Sequence, residues 1–326
     1  MERVLVTGGV GYVGSVLVPM LLNQGYKVSV LDNLIHENSL NTFLTRVGDH
    51  TILTHPNFMG FIKGDIRDQK TVLEAAKEVD SLIHLAAIVG APYCDKNPEL
   101  AVSTNIKGTD NIIKSISPKQ KIVYASTGSV YGKIDDMCLE TSNTNPLSLY
   151  GKTKLEAEKM ILDFGGVAFR FATAFGLSPR LRLDLLPNDF TYKLVKGRHL
   201  DIYEANAKRT FIHVSDMARS FIFALKNYDY MKGEAFNVGD EELNLTKIEL
   251  AEKIKCKIKE FFGFDVYIWK EEGKKDPDQR DYAVAYQKIK KIGGEGFRTK
   301  VSLDAGLEEL VKFMSIFEIK DQFRNA

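Results

Sequence analysis

Thr7-Gly8-Gly9-Val10-Gly11-Tyr12-Val13-Gly14 follows the short β-branched run Arg3 to Val6 and leads into an apolar stretch that stops before Gly25. The spacing of Gly8, Gly11 and Gly14 is that of a strand, a tight turn and a helix. Gly8 permits the turn, Gly11 lets the backbone approach a pyrophosphate, and Gly14 lets helix pack close to strand. A helix starting near Gly11 would aim its free N–H groups and partial positive charge at that pyrophosphate, with Tyr12 and Val13 in the same turn. Gly25, after Leu21-Leu22-Asn23-Gln24, suits the position just past a helix C-terminus.

Outward from this turn, further apolar runs recur with helical stretches between them: Lys27 to Leu31, Ser81 to Leu85, Lys121 to Ala125 and Gly166 to Phe171. The rhythm is βαβ. Runs this apolar, without in/out alternation, suit parallel strands covered on both faces. The expected fold is α/β, a Rossmann-like doubly wound parallel sheet with a smaller α/β substrate-binding domain. Residues 1–172 are expected to form the first domain, joined by a returning strand near 233–239, and 173–326 mainly the second. Thr246-Lys247-Ile248-Glu249 reads as a capping box opening a helix that ends before Gly263, and another helix is expected from Leu303 to Phe317.

Asp32 ends the second run, 18 residues after Gly14. A carboxylate there accepts hydrogen bonds from ribose hydroxyls and repels a 2′-phosphate, so NAD is the expected cofactor rather than NADP. Asn33 beside it, Asp65 and Ile66 near the adenine, Ala86 and Ala87 at the end of the Leu82 to Leu85 run, and Asn105 complete the expected cofactor contacts. Asp65 fits a turn equally well, and the two alanines could serve as core spacers.

Tyr150 and Lys154 stand four apart, and on a helix they share a face. A phenol with a pKa of about 10 is a poor base near neutrality, but a neighbouring ammonium stabilises the phenolate, which can then take a proton from a hydroxyl. Before this pair lies Tyr124-Ala125-Ser126-Thr127-Gly128-Ser129-Val130-Tyr131-Gly132. With the glycine turn and the Tyr/Lys pair, this segment resembles the extended short-chain dehydrogenases, the UDP-galactose 4-epimerases, sugar-nucleotide 4,6-dehydratases and their relatives. The resemblance covers nearly the whole chain. It implies that Thr127 hydrogen-bonds the reacting sugar oxygen, with Ser126 the rival, that Tyr150 is the base, and that Lys154 tunes it and holds the nicotinamide ribose.

Within that family, Gly128 and Ser129 occupy the positions where the dehydratases carry an acid-base pair, which argues against dehydration. Ser129 also stands where the 3,5-epimerase reductases have a cysteine. The stretches Val89 to Cys94, Ser178 to Phe190 and Asp276 to Tyr282 resemble GDP-heptose 4-dehydrogenases. The leading expectation is therefore an NAD-dependent 4-dehydrogenase of a nucleotide sugar, with a UDP-galactose 4-epimerase-like activity as the alternative and a non-catalytic NAD sensor third. Expected substrate contacts are Val89, Gly90, Thr127, Thr173, Arg180, Asn188, Arg209 and Arg280, the arginines offering bidentate hydrogen bonds to diphosphate.

Other features set limits. Lys plus Arg number 44 against 43 for Asp plus Glu, so no global field attracts nucleic acid or an anionic membrane. Cys94, Cys138 and Cys256 are odd in number and widely spaced, which disfavours a disulfide framework or a metal site. His84 and His213 fit structural places in strand-like runs, and Cys94 lacks a basic neighbour to activate it. The opening residues carry no leader pattern, and a cytoplasmic enzyme is expected. The resemblance implies a homodimer built on the helix after Tyr150 and the one near 105–116.

Overall fold

Seven runs form one parallel sheet: β1 (Arg3–Thr7), β2 (Lys27–Asp32), β3 (Phe58–Lys63), β4 (Ser81–His84), β5 (Lys121–Thr127), β6 (Val167–Phe171) and β7 (Ala235–Val238). The computed structural model describes residues 1–36, 42–271, 273 and 281–318. Strand order is β7-β6-β5-β4-β1-β2-β3, every pair parallel. Every residue of β4, β6 and β7 is buried, as a sheet covered on both faces requires.

The two faces can be followed through β1. Val4 and Val6 face Leu17, Val18 and Leu21 of helix α1 (Gly14–Asn23) and Phe221 and Leu225 of the helix Val214–Lys226. Leu5 faces the other way, into a group with Val72 and Ala76 of α2 (Gln69–Ala76), Ile112 of α3 (Gly108–Ser115), and Ala157 and Ile161 of α4 (Leu149–Asp163). A separate apolar group joins Phe175, Leu194, Ile202, Phe211, Ile254, Leu307 and Leu310. These come from the helices Leu186–Gly197, Lys247–Phe262 and Leu303–Ile316 and the short strands between them.

Strand order reverses beside β1, which pairs β2 on one side and β4 on the other. The connections leaving β1 and β4 therefore part and open a crevice at the carboxyl ends of the strands, where ligands bind in such sheets. β7 lies parallel to β6 with Ala235 opposite Ala168, so a strand distant in sequence completes the sheet edge.

Three local details differ from the sequence reading. Helix α1 begins at Gly14, three residues after Gly11, because the Gly11 N–H is used to close a turn on the Gly8 carbonyl at 3.1 Å. β3 is an additional edge strand. Its pattern is broken by Gly60, whose φ is 138°, and by a register shift that leaves Met59 largely exposed. The last helix ends at Ile316. Gly25 has φ 84° and the Thr246/Glu249 capping box forms as read.

Under the carboxyl ends of β5 and β6 lies a buried ion pair. Arg170 Nη2 and Nε meet Glu158 Oε1 at 2.7 and 3.0 Å, and Arg170 Nη1 donates to the Tyr131 hydroxyl at 3.0 Å. The Tyr131 hydroxyl donates to Asn237 of β7 at 2.7 Å. Removing one partner of such a pair leaves an uncompensated buried charge. Glu158→Ala should lower unfolding stability by about 3–5 kcal/mol, read from urea denaturation of the purified chain.

Candidate active site

At the end of β1, Gly8 turns the chain with φ 71°, and a Cβ there would lie 2.7 Å from the backbone nitrogen of Ala86. A Cβ on Gly14 would lie 2.5 Å from the Gly8 carbonyl oxygen. Turn, helix start and the β4 end thus meet at backbone contact. The cradle they leave, lined by Gly8, Gly11 and Gly14 at the start of α1, suits a dinucleotide pyrophosphate.

Asp32 closes β2 at the cradle's rim. Its Oδ1 accepts from Leu34 N–H at 2.9 Å and Oδ2 from Val10 N–H at 3.3 Å. Burial raises its pKa, while those hydrogen bonds and Arg180 act the other way. Asn33 donates to Asp65 at 3.2 Å, and Asp65 is held by Arg67 at 2.7 Å, a hydrogen bond that lowers its pKa. One cavity runs from Gly11, Tyr12 and Val13 past Asp32, Asn33, Asp65 and Ile66 to Ala86, Ala87, Val89 and Gly90. His84 sits beneath it between the hydroxyls of Thr7 and Thr109, at 2.8 and 3.1 Å, and burial pulls its pKa down to about 3.

The same cavity reaches Thr127, Tyr150 and Lys154. Ser148 caps α4 by accepting from Gly151 N–H at 3.1 Å, which sets Tyr150 and Lys154 on its first turns. Lys154 is buried, with Nζ 4.1 Å from the centre of the Tyr124 ring. Burial drives its pKa down to about 7, partly offset by Cys94 and Glu158. Thr127 Oγ1 accepts from Ser129 N–H at 3.2 Å and donates to Ser129 Oγ at 3.1 Å. Ser126 instead gives its hydroxyl to Glu158 at 2.5 Å.

Thr173, Arg180 and Arg209 also line the cavity. Two expected contact residues are not on its wall. Asn105 is buried behind it and clamps Ile88, accepting from its N–H at 2.7 Å and donating to its carbonyl at 2.9 Å. Asn188 is also buried and holds the loop wall, with donation to the Arg182 carbonyl at 2.8 Å and acceptance from Gly176 N–H at 3.1 Å. Arg280 and the 276–280 stretch lie outside the described residues.

Sequence reasoning passed over several cavity residues. Asp184 grips Arg182 at 2.5 Å, and Arg182 and Tyr150 feel one another's charge. His36, four residues past Asp32, has its pKa lowered to about 4, first by burial and then by Arg180 and Arg182. Ser148 also faces the cavity. The Asp184 signal was its position two residues from Arg182. His36 had none, because only folding brings it to the arginines. Cys94 donates to the Ile88 carbonyl at 3.5 Å and burial pushes its thiol up to about 12, and His213 pairs with Glu309 at 2.7 Å.

A sequence profile of the NAD dependent epimerase/dehydratase family matches residues 4–239. The chain belongs to that family and is an NAD-dependent enzyme of the nucleotide-sugar epimerase kind. It is 30% identical over 272 residues to a UDP-glucose 4-epimerase of Cyamopsis tetragonoloba, covering 73% of this chain and 75% of that one. It is 30% identical over 321 residues to the low-salt glycan biosynthesis protein Agl12 of Haloferax volcanii, 95% and 97% covered. In fold it matches the UDP-glucuronic acid 4-epimerase of Bacillus cereus, solved with UDP-glucuronic acid and NAD, at TM-score 0.82 and 24% identity, with 96% and 98% covered. Among the described residues no helix is long and apolar enough to cross a membrane.

The buried Lys154 has a pH signature in the cofactor-free chain. Its pKa is near 7 folded against about 10.4 unfolded, so between those values the unfolded chain binds more protons and stability rises with pH. The cost of burying the ammonium is fully present below pH 7. Lys154→Met should therefore raise the melting temperature most at pH 6, with the gain shrinking toward pH 10, as scanning calorimetry across that range would register.

Proposed function

We propose that the chain is a nucleotide-sugar 4-epimerase. The observation that carries this reading is the convergence of Thr127, Tyr150 and Lys154 on one cavity with the Gly8–Gly14 cradle. Relatives named as 4-epimerases support it further. The 4-dehydrogenase reading uses the same three residues, but its resemblance to GDP-heptose enzymes rests on loops and gains no support from those relatives. On this reading, residues 1–172 with β7 serve chiefly the cofactor and 173–326 chiefly the nucleotide sugar.

NAD, when bound, supplies the chemistry of accepting a hydride from the sugar C4 and returning it. The chain's own residues handle the proton and the orientation. Thr127 orients the C4 hydroxyl, and it does so rather than Ser126, whose hydroxyl is committed to Glu158. Tyr150 takes the hydroxyl proton as phenolate and gives it back after the keto sugar has presented its opposite face. Lys154 holds the phenolate by its charge, and Arg182 adds a second positive charge within reach of Tyr150. Arg209, buried in the cavity wall, is assigned to the substrate diphosphate, along with Arg280.

The test is incubation with UDP-glucose, UDP-galactose and UDP-glucuronate, with products separated by chromatography and reduced nicotinamide followed by absorbance. An isomer of equal mass with no lasting absorbance change is the expected result, while accumulating NADH and a released keto sugar would make the chain a dehydrogenase. Tyr150→Phe should lower kcat by about 10²–10⁴-fold with little change in KM. A homodimer packed through α3 and α4 goes with this assignment. Sedimentation should give twice the mass of one chain, and a single-chain mass at working concentration would sink that part.

A further inference from the structure

Behind the turn that presents Thr127, a side chain from far along the sequence occupies the space that a side chain at position 128 would need. A Cβ on Gly128 would lie 2.8 Å from Tyr282 Oη and 3.4 Å from both Tyr282 Cζ and the Phe171 carbonyl oxygen. Gly128 is not among the glycines with positive φ, so what limits this position is room rather than backbone conformation. Tyr282 is buried and its ring meets that of Tyr131 edge-on, with centroids 6.3 Å apart.

Tyr282 has little freedom to retreat. It belongs to the strand Asp281–Val284, which lies parallel to Lys133–Cys138 with Asp281 opposite Lys133 and Ala283 opposite Met137. The end of that strand is pinned twice by Asn244, whose Nδ2 donates to the Val284 carbonyl at 2.9 Å and whose Oδ1 accepts from Val284 N–H at 3.2 Å. Asn237 of β7 holds the next carbonyl, of Ala285, at 3.1 Å.

The opposite side of the same turn is just as tight. A Cβ on Gly151 would lie 2.9 Å from the Ser129 carbonyl oxygen, so the first turn of α4, which carries Tyr150, rests directly on the turn that carries Thr127. Two glycines thus hold one short segment between the C-terminal strand and the catalytic helix. We propose that Tyr282 is a positioning residue that presses the Thr127 turn onto α4 and so sets the placement of the Thr127 hydroxyl relative to Tyr150. The inference deepens the epimerase reading and rests on it for the roles of Thr127 and Tyr150.

The test is a cycle of Gly128→Ala, Tyr282→Phe and the double variant, measured with UDP-glucose and UDP-glucuronate and by thermal melting. Gly128→Ala forces the turn off the tyrosine oxygen and should lower kcat about tenfold or more while KM stays near the wild-type value. Tyr282→Phe removes the oxygen at 2.8 Å and leaves the nearest atoms at 3.4 Å, so the double variant should regain most of the lost kcat and of any lost melting temperature. A Gly128→Ala enzyme with wild-type kcat, or a loss that Tyr282→Phe does not restore, would overturn the proposal. A wild-type chain inert toward every nucleotide sugar would sink the epimerase reading instead. The melting cycle would then still decide the contact, with strictly additive effects counting against it.

Discussion

The backbone contact between the start of α1 and the end of β1 is the constraint on which the site depends. With Gly14 against the Gly8 carbonyl and Gly8 against Ala86, any larger residue at either place would separate helix, turn and neighbouring strand. Because they touch, the start of α1 lines the crevice opened by the reversal of strand order. That is where a dianionic pyrophosphate gains most from fixed dipoles that need no reorganisation. The place of Asp32 on the cavity wall then follows from the parallel register of β1 and β2, which sets Thr7 opposite Leu31.

The Tyr150 end of the cavity is built by a different device. Tyr150 and Lys154 are placed by one helix whose N-terminus is capped by Ser148. Lys154 is buried deeply enough that its ammonium is costly when the site is empty. That cost is the kind a functional site carries: a lysine poised near neutrality responds strongly to any anion brought beside it. The Glu158–Arg170–Tyr131–Asn237 network beneath keeps the neighbouring polar groups occupied. It takes up the Ser126 hydroxyl through Glu158, whereas the Thr127 hydroxyl bonds within its own turn, to Ser129.

The sheet was legible wherever apolar runs were continuous, and β3 escaped because Gly60 and the register shift beside it interrupt the pattern. The glycine turn after β1, the place of Asp32 at the end of β2 and the shared helix of Tyr150 and Lys154 were legible because each rests on a short, local spacing. Asn105 and Asn188 were read as contacts, yet both are buried off the cavity wall and hold loop backbone, Asn105 bonding the Thr153 hydroxyl of α4 as well.

By itself the sequence determined the parallel α/β sheet, the glycine turn and the helical face shared by Tyr150 and Lys154, since these follow from periodicity and spacing within a few residues. The tertiary structure decided which residues share the cavity. His36 meets the charges of Arg180 and Arg182, Arg182 comes within range of Tyr150, and Tyr282 stands behind Gly128 only because the chain returns from far along the sequence. No local pattern encodes such meetings; close packing of the folded chain creates them.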